Sequence, residues 1–130
     1  MIQRIIKIGT LFCLILSVKA AAQIGSISFD SLLQRTASQS IPLPEKMEYA
    51  KEALALATLS GDTLNMYRAM SELGIIELNM GQFEDCLKTQ LHAIRLADQM
   101  DSLSLFAKTA YKIGNTHLRM NHPEEAKKWM

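Results

Sequence analysis

The chain of 130 residues is poor in the features that usually announce chemistry or a stapled fold. It holds two cysteines, Cys13 and Cys86. If the first leaves with a leader peptide, Cys86 stands alone and no internal disulfide can form. Charge of one sign is missing too: 14 basic residues stand against 13 acidic ones. That balance gives no electrostatic reason to expect nucleic-acid binding. No glycine-rich phosphate loop is present, because Gly114-Asn115 falls inside a predicted helix. Apart from one N-terminal stretch there is no long apolar run. The β-branched residues are too scattered for alternating strands, which leaves an all-α chain.

That N-terminal stretch, MIQRIIKIGTLFCLILSVKAAAQ, places Arg4 and Lys7 before an apolar run from Ile8 to Val18, followed by Ala20-Ala21-Ala22. The order is that of a secretory signal peptide, with cleavage expected after Ala22. The run is well short of the roughly 20 residues of a membrane-crossing helix. Lys19, between the run and the cleavage site, is unusual and keeps an uncleaved, membrane-attached leader as the alternative. Leu11 and Phe12 before Cys13 are not the small residues of a lipoprotein acylation site. Removing residues 1–22 takes three basic residues, Arg4, Lys7 and Lys19, and leaves 11 against 13 acidic, a formal charge of −2. The remainder, an exported chain destined for the periplasm or the exterior, suits a single domain with a modest core.

Residues 23–43 are rich in serine, with an apolar cluster of Phe29, Leu32 and Leu33 that predicts a short helix from Ser28 to about Ser38, capped by Ser28 or Asp30. From Pro44 onward helix formers dominate. A helix is expected from Pro44 to Leu59, stopped by Ser60-Gly61, with Met47, Ala50, Leu54 and Ala57 as its apolar stripe. The next runs from an Asp62 or Thr63 cap to Met80, with Met66, Met70, Leu73 and Ile76 on one face and Gly81 as its stop. A third, from Gln82 to Met100, carries Phe83, Leu87, Leu91, Ile94 and Ala97. A fourth covers Ser102 to Met120, and His122-Pro123-Glu124-Glu125 opens a fifth. Short turns make neighbouring helices antiparallel, so the chain reads as stacked helical hairpins.

Sliding the sequence against itself until Gly74 meets Gly114 also aligns Leu78 with Leu118, Met80 with Met120 and Glu84 with Glu124. The same shift brings Ala53-Leu54, Leu56 and Ala57 onto Ala93-Ile94, Leu96 and Ala97. One offset serving both members of a helix pair marks a solenoid. Leu73-Gly74, the turn Met80-Gly81-Gln82-Phe83, the small Cys86 and then Ala93 resemble a tetratricopeptide repeat. Ile113-Gly114, Asn121-His122-Pro123 and Ala126 repeat the pattern. The resemblance covers roughly positions 45–130 and implies a right-handed solenoid of antiparallel hairpins. It departs from the usual form in its period, about 40 residues, in Glu77, His117 and Gln90 where aromatics are usual, and in lacking a proline after the second helix. Glycine inside a helix costs about 0.8–1 kcal/mol relative to alanine, so Gly74 and Gly114 suggest a close approach of the partner helix, with Cys86 and Ala126 as the facing small residues.

The resemblance also implies a function. Repeats of this longer form behind a signal peptide are similar to exported scaffolds and to the sensor regions of bacterial signalling proteins, especially of Bacteroidetes. They bind a protein or peptide. The concave face would be lined by the first helix of each pair, which by register from Gly74 and Gly114 means Arg68, Ser71, Ile75 and Asn79, then Lys108, Tyr111, Asn115 and Arg119. Such a face suits a segment bearing a carboxylate. No cofactor or metal is implied: Cys86 and His92 are six residues apart on a helix, and no pair among His92, His117, His122 and Cys86 has the i, i+4 spacing of helical metal sites. Glu124-Glu125 at a helix start reads as dipole compensation rather than acid/base chemistry, and Cys86 as a small core residue, with no His or Lys placed to make a thiolate. The methionines at helical spacing, Met66, Met70, Met80 and Met100, read as core filling. An enzyme is not expected. Met130 falls about two turns into a helix without a stop signal, so the expectation is a fragment of a longer chain, self-association through that end, or a marginal fold.

Overall fold

The computed structural model describes residues 27–130, and the signal-peptide and cleavage expectations lie outside that range. Six helices follow one another: α1 (Phe29–Ala37), α2 (Leu43–Ser60), α3 (Thr63–Asn79), α4 (Phe83–Gln99), α5 (Leu103–Arg119) and α6 (Pro123–Trp129). Among the described residues there is no strand, and no helix is long and apolar enough to cross a membrane. Each helix packs on the next in the chain, and α1 also touches α3. The result is the expected all-α stack of antiparallel hairpins, with α1, α3 and α5 as first members of the pairs and α2, α4 and α6 as second members.

The helix starts follow local chemistry. The Ser28 hydroxyl accepts from the Ser31 amide (3.2 Å), the Asp62 carboxylate from the Asn65 amide (2.9 Å), and the Ser102 hydroxyl from the Leu105 amide (3.4 Å). Each satisfies an amide that has no partner within its helix. The last helix starts instead on Pro123, whose missing N–H costs nothing there.

The four turns after α2, α3, α4 and α5 are copies of one another. Asp62, Gln82, Ser102 and His122 each donate a backbone N–H to the carbonyl five residues earlier, on Ala57, Glu77, Ala97 and His117. The residues just before them, Gly61, Gly81, Asp101 and Asn121, all have left-handed backbone, with φ of 67°, 75°, 52° and 61°. This is the paired-bond helix ending that left-handed residues allow, and glycine, asparagine and aspartate are the residues that tolerate it. These four positions are evenly spaced along the chain, so α3, α4 and α5, each with its turn, are units of one length, and two such units make one repeat.

The core runs between the layers. Tyr67, Met70, Ala93, Leu96 and Ala97 form one buried cluster, joined by Met66, Met100 and Leu105. Leu32, Ala53 and Ala69 form a second under Phe29, Leu33 and Tyr49, and Ala50, Leu73 and Ile76 a third with Met47 and Met80. Leu54 packs against all three. One expected stripe is corrected. On α4 the buried line is Cys86, Gln90, Ala93, Ile94, Leu96 and Ala97, whereas Leu91 is 38% exposed. Close helix packing selects small residues at the crossing, so the largest apolar side chains do not by themselves mark the inner face.

Candidate functional site

Helices α1, α3 and α5 lie side by side and are bound to one another by polar contacts. Arg68 on α3 pairs with Asp30 on α1 at 3.2 Å, and its guanidinium stands 5.2 Å from the centre of the Phe29 ring. Further along α3, the Tyr67 hydroxyl donates to the Leu105 carbonyl (3.3 Å) and is 3.0 Å from the Thr109 hydroxyl, both on α5. The Lys112 ammonium donates to the Ser71 hydroxyl. Between α1 and α3 a hollow of about 230 Å³ is lined by Leu33, Ala37, Tyr67, Arg68, Ser71 and Glu72.

Of the eight residues expected on the binding face, Arg68 and Ser71 line this hollow. Ile75 is half-buried farther along α3, and Asn79 is exposed at its end. On α5, Lys108, Tyr111 and Arg119 are exposed and Asn115 is half-buried. The two halves of the set differ in availability. Arg68 already has Asp30, the Asn65 side chain (2.9 Å) and Phe29, so it ties α1 to α3. By contrast, neither Lys108 nor Arg119 has a side-chain hydrogen-bond or ion-pair partner among the described residues.

Two residues of the face were missed by the sequence reading. Glu72 and Lys112 occupy the same register position in successive repeats, on the stripes already drawn through 68–79 and 108–119. Their opposite charges at one register position were the available signal. Burial pushes the Lys112 ammonium below the usual lysine range, Glu72 acts upward, and Lys108 works in the same direction as burial. As a consequence α5 carries Lys108, Lys112 and Arg119 and no carboxylate at all, in contrast to α3 with Glu72 and Glu77.

The packing residues show how the repeat closes on itself. A Cβ on Gly74 would lie 2.9 Å from Cδ of Gln90, and one on Gly114 would lie 2.8 Å from Cγ of Met130 and 3.3 Å from the Ala126 carbonyl oxygen. Gln90 and Met130 are themselves equivalent positions in successive repeats. At Gly74, then, the close neighbour is not Cys86 but Gln90, one turn farther on, whose flat amide lies across the bare glycine. Cys86 is buried and reaches the next pair instead, 3.4 Å from the Thr116 hydroxyl. Ala93 and Ala126 are buried.

Lys112 stands near Cys86 but does not make it a thiolate, since burial pushes the thiol up, with the Thr116 hydrogen bond and then Glu77 as lesser influences. Among the described residues no three His, Cys, Asp or Glu side chains converge as metal ligands. The His117 and His122 rings are 6.3 Å apart. Glu125 is held below the usual carboxylate range, first by its hydrogen bond from Lys128.

Glu77 is a polar residue in the core, 8% exposed, with one carboxylate oxygen lacking a partner. Burial raises its pKa; Thr89 opposes this, Asp85 adds to it and Lys51 opposes it. Because the folded state favours the protonated form, its contribution is full below the ordinary carboxylate range and is lost as pH rises through the raised value. Glu77→Gln is therefore expected to stabilise the fold at pH 7 by about 1 kcal/mol, the low end for an unpaired buried oxygen since solvent and Lys51 still screen it. Thermal unfolding should show a Tm a few degrees higher at pH 7 and convergence of the two proteins near pH 4. An equal gain at both pH values would remove ionisation from the account.

By sequence the chain matches no protein-family model, and a search of curated proteins finds no match. In three dimensions it is similar to the crystal structure of the TPR domain of Arabidopsis FLU, with a TM-score of 0.72 at 16% identity, covering 78% of this chain and 87% of that one. The fold is tetratricopeptide-like.

Proposed function

We propose that this chain is an exported, non-enzymatic scaffold that holds a protein or peptide segment against the inner face of its helix stack, with the α5 side of that face as the contact. One observation carries the reading: the cations of α5 have no compensating carboxylate on their own helix, and Tyr111 stands among them 63% exposed. An exposed aromatic beside unpaired cations is the composition of a recognition surface rather than of an inert helix face. The fold supports the same reading, since stacked hairpins present an extended concave surface. The partner segment suited to it is acidic, with an apolar or aromatic residue to lie on Tyr111.

The test is a peptide array probed with the protein and with the Lys108→Glu/Arg119→Glu variant. Acidic peptides should dominate the first selection, and the variant should bind them roughly tenfold more weakly, as loss of two exposed charge contacts of about 0.5–1 kcal/mol each implies. Its helicity by circular dichroism should not change. The same peptides bound equally by both proteins would remove α5 from the account.

Export rests on the order of residues 1–22 alone. Expressed in a bacterium, the protein recovered from the periplasm is expected to begin at Gln23, which N-terminal sequencing reads directly. Recovery of the intact Met1 chain from the cytoplasm would overturn the export reading while leaving the binding face untouched.

A further inference from the structure

The turn from α4 to α5 carries a second concavity, of about 260 Å³, lined by Ala97, Asp98, Asp101, Ser102, Leu103 and Phe106. It is smaller than the roughly 300–1,000 Å³ typical of sites for drug-sized ligands, so it has the size for a side chain rather than a cofactor. Its walls are of two kinds. Leu103 and Phe106 are 81% and 38% exposed, unusual for large apolar side chains in one small hollow. Their counterparts one repeat earlier are Thr63 and Met66, and Met66 is packed into the core. The same hollow is lined by two exposed aspartates, Asp98 and Asp101, that make no ion pair or side-chain hydrogen bond among the described residues, and no lysine, arginine or histidine lines it.

The backbone adds the same sign. The hollow lies at the C-terminal end of α4, where the helix dipole is negative, and α4 has no basic side chain in its last turn to offset it. Ser102 is committed to capping α5, through the hydrogen bond its hydroxyl accepts from Leu105. What remains free is an aromatic ring, an aliphatic wall and two carboxylates. An arginine side chain matches all three: its methylene stem lies on Leu103, its guanidinium plane stacks on Phe106, and its N–H fork meets the carboxylates.

We infer that the α4–α5 turn is a docking pocket for an arginine side chain of a partner protein, placed between Phe106 and the aspartates Asp98 and Asp101. This surface is distinct from the cationic stripe of α5. Lys108 is two residues from Phe106 and projects from the other side of the helix. The two surfaces therefore favour segments of opposite charge.

The experiment is a titration of ¹⁵N-labelled protein with N-acetyl-arginine amide, followed by amide chemical shifts, alongside N-acetyl-citrulline amide, which has nearly the same shape and no charge. Arginine amide is expected to move the amides of Asp98, Asp101, Ser102 and Phe106 saturably, and citrulline amide at least fivefold less at equal concentration. Asp98→Asn/Asp101→Asn should lower the affinity for arginine amide at least fivefold. Asparagine tolerates the left-handed backbone at position 101, so the fold is kept; Asp98→Asn alone, outside that position, should shift affinity in the same direction. Equal shifts from both compounds, shifts elsewhere only, or no shifts would each overturn the inference. So would movement of the same amides with protein concentration in the absence of ligand, which would give the pocket to a second copy of this chain.

Discussion

Leu32→Ala should lower the free energy of α1 docking by about 3 kcal/mol, within the roughly 2–5 kcal/mol usual for a fully buried leucine. Leu32 is fully buried against Ala53 of α2 and Ala69 of α3, two residues too small to close over the space a lost isobutyl group would leave. The helix that carries it has nine residues, below the length at which an isolated helix holds its shape in water, so its order depends on docking. Besides Leu32, only Thr36 of this helix is buried, with Phe29 and Leu33 half-buried against the same cluster; the polar ties, the Asp30–Arg68 pair and Arg35 with its guanidinium 5.0 Å from the Tyr49 ring, are exposed. In a linear stack such a loss is local. Hydrogen exchange should therefore accelerate across residues 29–37 while α3 to α5 keep their protection, and the drop in global stability should not exceed the docking energy of α1. A uniform loss of protection along the whole chain would show that the stack unfolds as one unit.

Gly74→Leu is expected to cost about 3 kcal/mol, the upper part of the usual range for overfilling a packed core. A side chain there must displace Gln90, which is 2% exposed and so has no open space to move into. Gly114→Leu offers an internal control. The neighbour there is the side chain of Met130, 59% exposed and able to swing outward. The cost should therefore be smaller by about 1 kcal/mol or more, leaving mainly the contact with the Ala126 carbonyl. Urea denaturation of the two variants measures the difference. Equal losses at the two glycines would mean that the backbone of the facing helix, common to both, sets the limit rather than the side chain lying across it.

Both predictions turn on where a sequence is readable and where it is not. Gly61, Gly81, Asp62, Ser102 and Pro123 are local signals with local consequences, and each helix boundary they imply lies within a residue or two of the observed one. The register of the repeat was readable for the same reason, since Gly74 and Gly114 cost helix stability and demand an explanation. Leu91 was placed inward because apolar period counts bulk, whereas the crossing of α4 is built from Cys86, Ala93 and Ala97. Pairings between distant segments left no local trace. Nothing near Arg68 announces that Asp30, 38 residues earlier, takes its charge, and that contact moves the availability of the inner face from α3 to α5. Glu72 and Lys112 were within reach, but only by comparing repeats position by position for charge rather than for apolar pattern.

The left-handed turn residues at 61, 81, 101 and 121 have a consequence for how such a chain can grow or shrink. Because the units between these turns, α3, α4 and α5, have the same length and successive helices alternate between the two layers, length changes there obey an even–odd rule. Adding or deleting two helix-and-turn units at a turn lengthens or shortens the stack and leaves every later helix in its own layer. A change of a single unit would send each later helix to the opposite layer, carrying the Lys108–Arg119 stripe, unaltered in sequence, to the other side of the stack.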